Sequence, residues 1–599
     1  MERIDGYAPI RDYALIGDGR ASALVARDGA IDWLAVPRMD SETVFASLLD
    51  AERGGAFELA PAIGYRVERE YVTDSNVLQT TFVTDRGTVR VTDAITLDHG
   101  GLLPWFELVR GVEGVAGAVP MRWRVAPRYG AGEESGEMVI DRLGSAIRAT
   151  SRGLSFLVYT FDAGEAQYTD TEISGSFEAE KGSSSSIVVR ATRDEPIPFA
   201  RRDWIERRLR DTTDDWRRWL DDAGVEGDWN HVVRRSALAL RLLTYVPTGG
   251  IVAAPTTSLP ERVGRDRNYD YRYAWVRDTA YTLDALINLD LLVQVHASFA
   301  WLLRAVESTE PDLHVFYDLE GRTVSDEKEL ELDGYRGSRP VRRGNQAAGQ
   351  LQLGCYGDLL ETAELYVRDG NALDDPTAER LADFLDNLLT IWSKPDSGIW
   401  ELTDLQHYTT SKVGVWTAFD RALRLVERGQ LPGKRAEPWR KCQAEVRDFV
   451  DGECWSEERG CYLMFPGSDK LDASILRISR TAFLDTRSAR FSEVIGAIRS
   501  ELDAGGGLLY RYSGQQGAEG AFVACSFWLV EALARAGRVE EARRTMEQMV
   551  GHVNDVGLLS EEIDPETGEF LGNFPQGLSH LALINAAAAI RDAEREDGR

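Results

Sequence analysis

The chain has 599 residues, of which 43% are hydrophobic and 9% aromatic, so it has ample material for large cores and is not globally disordered. No apolar run approaches the roughly 18 residues that a membrane-spanning helix needs. The formal net charge of −29 disfavours nucleic-acid backbones and anionic membrane surfaces as partners.

The basic residues are almost all arginine, with seven lysines against 62 arginines. A surface poor in lysine and rich in Asp and Glu is typical of halophilic proteins, because concentrated salt screens the self-repulsion. An ordinary acidic protein from a GC-rich genome is the alternative. The first residues lack a basic segment followed by an apolar one, so we predict no secretory signal and a cytoplasmic location.

The cysteines and histidines give no sign of a metal or redox centre. The five cysteines are widely spaced and form no CxxC pair, which indicates buried free thiols in a reducing compartment. The seven histidines include no HxxxH or HExxH pair, and no phosphate-binding GxxxxGK motif occurs. We therefore expect no metal and no cofactor.

Residues 1–200 have a sequence pattern typical of β-strands. Runs of β-branched and aromatic residues predict short strands, and Asp85 to Gly87 mark a hairpin turn between two of them. The predicted strands fall within residues 65–83, 88–92, 121–127, 154–161 and 186–193. Short strands separated by turn residues predict an N-terminal β-sandwich domain over residues 1–200.

From about residue 200 the hydrophobic period becomes helical. Residues 203–223 predict a charged amphipathic helix within a helical linker, 201–228. The other predicted helices are 232–246, 278–306, 347–367, 379–393, 411–429, 437–451, 485–503, 521–537, 538–553 and 577–594. Sequential pairs of helices without a fixed repeat period fit an α/α barrel over residues 229–599, although a helix count alone does not exclude a bundle.

Two loops between these helices are rich in aromatic residues and arginine. Loop 267–281 combines four tyrosines and a tryptophan with Arg and Asp, which suits stacking on sugar C–H faces and hydrogen bonding to hydroxyls. Loop 333–346 contains four arginines, which can bind an anion or a polyol. The alternative for loop 267–281 is an aromatic helix end with surface ion pairs. The alternative for loop 333–346 is a solvated basic loop.

Two further loops carry candidate catalytic glutamates. In loop 395–412, Glu401 follows Trp400, and an indole neighbour desolvates a carboxyl and raises its pKa, as a general acid requires. Loop 557–580 carries Glu561 and Glu562, either of which can act as a general base on water. Taken alone, each also fits a surface loop. Together they meet the requirement of glycoside hydrolysis, with inversion if the carboxyls stand about 6.5–9.5 Å apart.

Several motifs in order along the chain resemble glycoside hydrolase family 15, the glucoamylase-like family that includes microbial α,α-trehalases. The motifs are YALIGDGRASALVARDGAIDWLAVPRMDS (13–41), LTYVPTGGIVAAPTTSLPE (243–261), the four loops above and CSFWLVEALARAGRVEEAR (525–543). The resemblance implies an N-terminal β-sandwich followed by an (α/α)6 barrel, inverting hydrolysis of terminal α-glucosidic bonds, and no catalytic metal.

The same resemblance implies roles for individual residues. Glu401 matches the general acid, and Glu561 matches the general base, with Glu562 as the close rival. The implied substrate-binding residues are Tyr271, Trp275, Arg277, Asp278, Arg339, Arg342 and Trp400. Thr403 departs from the arginine common in relatives. The N-terminal motif residues Trp33, Arg38 and Asp40 match strongly, but no role is assigned to them.

We therefore expect an exo-acting, inverting hydrolase that releases glucose from maltodextrin or a glycogen-derived glucan, of the glucan 1,4-α-glucosidase type. An α,α-trehalase on the same scaffold, with trehalose as substrate, is the alternative. An α-glucoside phosphorylase would need phosphate in place of the base, and a non-catalytic sugar-binding protein would show no turnover. The oligomeric state stays open.

Overall fold

The computed structural model describes residues 3–132, 138–225, 227–324, 327–596 and 598. Antiparallel β-structure extends to residue 193, and long helices follow from residue 202. This order confirms the predicted fold class, in which an N-terminal β-sandwich precedes an (α/α)6 barrel. No helix in the described part of the chain is long and apolar enough to cross a membrane.

The sandwich consists of two antiparallel sheets that share one long strand. Its strands are β1 (Tyr13–Gly17), β2 (Ser22–Ala26), β3 (Ile31–Ala35), β4 (Thr43–Phe45), β5 (Phe57–Pro61), β6 (Tyr65–Tyr71), β7 (Leu78–Thr84), β8 (Gly87–Ile95), β9 (Phe106–Val125), β10 (Val139–Leu143), β11 (Ala146–Ser151), β12 (Leu154–Phe161), β13 (Gln167–Tyr168), β14 (Ile173–Glu180) and β15 (Ser184–Arg193). One sheet runs β1-β2-β3-β5-β9-β14-β13 and the other runs β6-β7-β8-β9-β15-β12-β11-β10.

Strand β9 changes sheet near its middle. Its first half pairs with β8 and β15, whereas its second half pairs with β5 and β14. Two glycines permit the bend: a Cβ on Gly114 would lie 2.6 Å from the carbonyl carbon of Glu180, and Gly117 has a φ of +69°. Only glycine tolerates such a close backbone approach and such a dihedral angle.

The helices are α1 (Arg202–Asp221), α2 (Asn230–Leu243), α3 (Val276–Ile287), α4 (Leu292–Glu307), α5 (Gly354–Arg368), α6 (Asp375–Ile391), α7 (Thr409–Glu427), α8 (Ala436–Phe449), α9 (Ala489–Leu502), α10 (Val523–Arg535), α11 (Val539–Val550) and α12 (Gly577–Glu596), with a 3-10 helix at Ala473–Arg480. Helix α1 packs on the sandwich, where Arg208 pairs with the buried Glu107 and the Thr212 hydroxyl accepts a hydrogen bond from Leu97 N.

The remaining helices form two concentric rings. Helices α3, α5 and α7, the 3-10 helix, α10 and α12 contact one another in that order, and α12 returns to α3 and closes the inner ring. Helices α4, α6, α8, α9, α11 and α2 pack outside them. The fourth of the six inner positions is thus filled by eight residues of 3-10 helix.

Four predicted helices differ from the structure by four residues or more. The predicted helix 379–393 begins at Asp375, after the cap residue Asp374. The predicted helix 278–306 is two helices, because the chain reverses through Asn288 to Leu291, where Asp290 has a φ of +58°. The predicted helix at 347–367 begins only at Gly354, and the one at 485–503 begins after Ser488, whose side chain caps it. The 3-10 helix was not predicted, because eight residues give too short a periodic pattern.

Candidate active site

The loops that precede the inner helices surround one cavity. Residues just before the first turns of α3, α5, α7, α10 and α12 line a space of about 190 Å³ at this end of the barrel. Seven residues singled out from the sequence line it together: Tyr271, Trp275, Arg277, Asp278, Trp400, Glu401 and Glu561. Residues up to 290 positions apart in the chain therefore meet in one pocket.

Glu401 is held in an unusual backbone conformation. Its φ is +58°, a left-handed value that is rare outside glycine and that is concentrated at functional sites. The loop closes by a hydrogen bond from Leu402 N to Ser397 O (2.9 Å). The side-chain amide of Gln350 donates to the Glu401 carbonyl oxygen over 2.9 Å, so a neighbouring loop also supports this conformation.

The carboxyl of Glu401 is held by groups from α3 and the loop before it. The Trp275 indole Nε1 donates to Glu401 Oε1 over 2.7 Å, and Arg277 Nη1 lies 3.6 Å from the same oxygen. Burial raises the pKa of Glu401, while Arg277 and the hydrogen bond from Trp275 oppose that rise. A partly buried carboxyl with a raised pKa retains its proton at higher pH and can donate it, as a general acid must.

Glu561 accepts hydrogen bonds from two sides. The Tyr271 hydroxyl donates to Oε1 over 2.7 Å, and Asn573 N donates to Oε2 over 3.3 Å. Burial and the neighbouring Glu261 raise the pKa of Glu561 to about 8, and the hydrogen bond from Tyr271, together with Arg511, opposes that rise. The two donors stabilise the ionised form of this carboxyl, and that form can act as a proton acceptor.

Glu562 faces the other way, because successive side chains of an extended segment point to opposite sides. It is fully buried and does not line the cavity. Gly520 N donates to its Oε2 over 2.9 Å, and its Oε1 has no hydrogen-bond partner. Burial, together with the neighbouring Glu261 and Glu519, raises the pKa of Glu562 well above its ordinary value.

Arg277 and Asp278 form a charged pair at the start of α3. Arg277 Nε donates to Asp278 Oδ1 over 2.7 Å, and its Nη1 donates to Ile399 O over 2.8 Å. The first contact fixes the guanidinium against the helix, and the second ties it to the loop that carries Glu401. The pair can offer both donors and acceptors to sugar hydroxyls.

Aromatic rings form the wall of the cavity. Tyr271 and Trp275 pack edge to face with their centroids 5.5 Å apart, so the two side chains that bind the glutamates also contact each other. Trp400 packs against Phe522 at 5.3 Å and donates from Nε1 to Asp472 over 2.9 Å. Such a wall suits stacking against a pyranose ring.

Two of the predicted binding residues lie outside this cavity. The Arg339 side chain is 63% exposed and pairs with Asp333. The Arg342 guanidinium lies 5.6 Å from the ring centre of Tyr269 and does not line the cavity. The arginine-rich loop therefore does not supply the predicted arginine contacts, because its arginines bind nearby carboxylates and aromatic rings. The same loop instead contributes Asn345 and Gln346 to the lining.

Sequence reasoning missed an arginine that the structure brings into the cavity. Arg511 Nη2 donates to Glu261 over 2.8 Å, its Nε donates to Glu519 over 2.7 Å, and its guanidinium lies 5.6 Å from the ring of Trp400. A sequence pattern could have indicated Arg511. Segment LLYRYSG (508–514) combines arginine with tyrosines before a helix, as loop 267–281 does. Other missed lining residues are Gln350, Tyr512, Phe522 and Trp528.

Within the described residues, one group of carboxylates has a spacing that can hold a metal ion, namely Glu261, Glu519 and Glu562. Arg511 Nη2 already lies among all three, within hydrogen-bond range of two and 3.6 Å from Glu562. A guanidinium thus fills the position between these oxygens, and the cluster serves to hold Arg511.

The chain matches two family models. "Glycosyl hydrolases family 15" matches residues 227–588, and "Trehalase-like, N-terminal" matches residues 5–159. The first of these covers more than half of the chain.

Proteins and structures similar along the whole chain are known. A protein named trehalase from Thermoplasma volcanium is 32% identical over 598 residues, covering 98% of this chain and 95% of that protein. Another trehalase, from Mycobacterium tuberculosis, is 33% identical over 632 residues, covering 98% and 91%. A bacterial glucoamylase complexed with acarbose shares the fold with a TM-score of 0.74 and 13% identity, covering 98% of this chain and 95% of that one.

Proposed function

The chain belongs to glycosyl hydrolase family 15, and from that premise we propose that it hydrolyses α,α-trehalose to two glucose molecules with inversion at one anomeric carbon. The observation that carries the proposal is the pair Glu401 and Glu561, which line one buried cavity and are each bound by one of two touching aromatic rings. An acid and a base facing one pocket are what an inverting glycosidase requires.

We propose trehalose as the main substrate, in place of the glucan that we expected from the sequence. The relatives named trehalase match this chain nearly from end to end in both directions, and the N-terminal match is also to a trehalase-like domain. The likeness to a glucoamylase, at 13% identity, concerns the fold alone. Both substrates present a terminal α-linked glucose, so the same acid and base would serve either.

In the proposed reaction Glu401 donates its proton to the glycosidic oxygen while that oxygen leaves the anomeric carbon. Glu561 accepts a proton from the attacking water, whose oxygen forms the new bond to the same carbon. Trehalose and one water thus yield one β-glucose, from the attacked ring, and one α-glucose, from the leaving ring. Arg277 and Asp278 bind the hydroxyls of the attacked glucose, and Arg511 is a third candidate contact.

The paired state of the cavity arginines favours a hydrolase over a phosphorylase. A phosphorylase needs cationic side chains that are free to bind phosphate. In the described part of the chain, each arginine that lines the cavity is already paired: Arg267 with Glu519, Arg277 with Asp278, and Arg511 with Glu261. Phosphate would have to displace a carboxylate from one of these pairs.

The test is glucose release by the purified full-length chain from trehalose, maltose and maltotriose, with and without phosphate. We expect turnover of trehalose in phosphate-free buffer. Turnover of maltose and maltotriose with inert trehalose would replace the proposal by the glucoamylase alternative. A strict requirement for phosphate would replace it by the phosphorylase.

Proton NMR of the first products tests the stereochemistry of the reaction. Inversion produces α- and β-glucose in equal initial amounts, whereas retention produces only the α-anomer.

Variant kinetics test which glutamate is the base. Glu401→Gln and Glu561→Gln should each lower kcat about 100- to 10,000-fold. Glu562→Gln is the matched control, and we expect a loss of less than about tenfold, because its carboxyl faces away from the cavity. A larger loss for Glu562→Gln than for Glu561→Gln would reverse the assignment.

A further inference from the structure

The N-terminal motif IDWLAVPRMDS (31–41) has no role in the chemistry described above, yet it contacts the loops of the cavity. Trp33 lies on β3, and its side chain is 1% exposed. Its indole Nε1 crosses to the barrel domain and donates to the carbonyl oxygen of Pro255 over 2.8 Å. The sandwich therefore makes a buried hydrogen bond to a segment next to Ala253, which lines the cavity.

A second bond crosses the same boundary beside the first. Arg272 Nη1 donates to Ser41 O over 3.1 Å, and its Nε and Nη2 donate to Asp270 over 2.8 and 2.7 Å. The Arg272 guanidinium lies 5.9 Å from the ring centre of Trp33. Burial opposes the rise in the pKa of Arg272, which is raised chiefly by Asp270 and more weakly by Asp40, itself paired with Arg38. The motif thus contacts segment 270–272 through the side chain of Arg272.

The segment bound by Trp33 supports the residue that binds Glu561. Ala253 N and Ala254 N donate to Tyr273 O and Tyr271 O over 3.1 and 3.0 Å, so segment 253–254 lies alongside the loop that carries Tyr271. Pro255 follows directly. The hydroxyl of Tyr271 in turn donates to Glu561 Oε1 over 2.7 Å.

The same segment also reaches the second donor to Glu561. The Thr256 hydroxyl donates to Asn573 Oδ1 over 2.9 Å, and Phe574 N donates to that hydroxyl over 3.2 Å. Asn573 Nδ2 donates to Tyr269 O over 2.9 Å, and Asn573 N donates to Glu561 Oε2. Both donors to Glu561 are therefore tied to the two residues that flank Pro255.

We propose that Trp33 is a positioning residue for the catalytic base: by fixing Pro255 from the N-terminal domain, it holds Tyr271 and Asn573 at the distances from which they bind Glu561. The role of Glu561 as base rests on the proposed function, whereas the positioning of Tyr271 and Asn573 does not. The N-terminal domain is on this account a part of the active site's support.

The decisive variant is Trp33→Phe, which keeps an aromatic ring and removes the indole N–H. Trp123→Phe is the matched control, because Trp123 is also buried in the sandwich and its Nε1 donates to a backbone carbonyl, that of Ala163, over 2.9 Å. Both variants lose one buried indole-to-carbonyl hydrogen bond, but only Trp33 bonds to the barrel.

We expect Trp33→Phe to lower kcat about tenfold or more with KM within about twofold, because small displacements of catalytic groups reduce the rate. Trp123→Phe should keep both constants.

The pH profile separates positioning from a general loss of stability. Glu561 is faced by Tyr271, Glu261, Arg511, Asn573 N and, from its buried side, Glu562. A hydrogen bond from Tyr271 favours the ionised carboxylate, so weakening it raises the pKa of Glu561. The limb of kcat/KM that reports ionisation of Glu561 should therefore move to higher pH in Trp33→Phe. The limb that reports Glu401 should stay.

Hydrogen exchange followed by mass spectrometry tests the positioning without any turnover. Trp33→Phe should speed exchange in peptides that cover residues 253–258, 269–273 and 572–574, and Trp123→Phe should not. Arg272→Lys, which removes the contact to Ser41 but keeps a cation beside Asp270, should act on the same peptides and serves if Trp33→Phe does not fold.

Unchanged exchange in these peptides, or equal kinetic losses in Trp33→Phe and Trp123→Phe, would overturn the proposal. Failure of the proposed function is distinct, since it shows as a wild-type chain that leaves trehalose intact, and the exchange experiment then still decides the positioning.

Discussion

Two backbone positions govern where the carboxyls of Glu401 and Glu561 point. Glu401 adopts a φ of +58°, which its neighbours Gln350 and Trp275 support by hydrogen bonds. Gly572 has a φ of +69°, and its backbone lies against the side chain of Glu561. Glu401 therefore has a backbone conformation that non-glycine residues disfavour, whereas Gly572 adopts its positive φ without strain and leaves room for the side chain of Glu561.

Gly572→Ala should remove most of the activity while keeping the fold. The new Cβ would lie 2.6 Å from the Cβ of Glu561, so the base must move, and a displacement near 1 Å can cost about 100-fold in kcat. Gly568→Ala is the control: its φ is +73°, but a Cβ there meets nothing within 4 Å. Steady-state kinetics and circular dichroism of both variants check this, and equal losses in the two would refute a steric effect on Glu561.

At the scale of elements, the inner ring depends on close contacts that hydrophobic periodicity does not report. Helices α5 and α7 cross at Gly354, Gly357 and Gly414, and a Cβ on Gly357 would lie 2.9 Å from the carbonyl carbon of Gly414. Small residues allow the backbones to approach, so the loops before these two helices meet at one cavity. Residues 354–368 and 409–427 are predictable as helices, but their close crossing is not.

Gly357→Ala should destabilise the protein by about 1–3 kcal/mol, because the methyl group overpacks a helix crossing. Gly496→Ala in α9 should have the opposite sign, a gain of about 0.5–1 kcal/mol, since that helical glycine is exposed and a Cβ meets nothing within 4 Å. Thermal or denaturant unfolding of both variants measures the difference. A neutral or stabilising Gly357→Ala would show that the crossing has room to spare.

At the scale of the whole molecule, charge is distributed as a strongly acidic surface carrying many arginine pairs. One example is Arg435, which lies within ion-pair distance of Glu379, Asp383 and Asp386. Isolated exposed pairs contribute little to stability. With a net charge of −29, we expect the mutual repulsion of the surface carboxylates to outweigh the attraction within these pairs.

The melting temperature should therefore rise as KCl increases from low to molar concentration, because salt screens a net repulsion more than it weakens the surface pairs. Sorbitol at matched osmolality is the control, since it does not screen charge. Differential scanning calorimetry checks both. A melting temperature that falls with KCl, or that follows sorbitol equally, would contradict the halophilic interpretation of the composition.

The sequence alone determined that a β-domain precedes a helical domain, most helix positions, and seven residues that line the cavity. Strand and helix periodicity and the aromatic and acidic residues of the loops are local patterns, so they can be read without coordinates. Only the tertiary structure decided that Arg339 and Arg342 stay outside, that Arg511 enters, and that Trp33 reaches Pro255. Those facts depend on which distant segments meet, and a guanidinium or an indole N–H takes whichever partner the packed chain brings within about 3 Å.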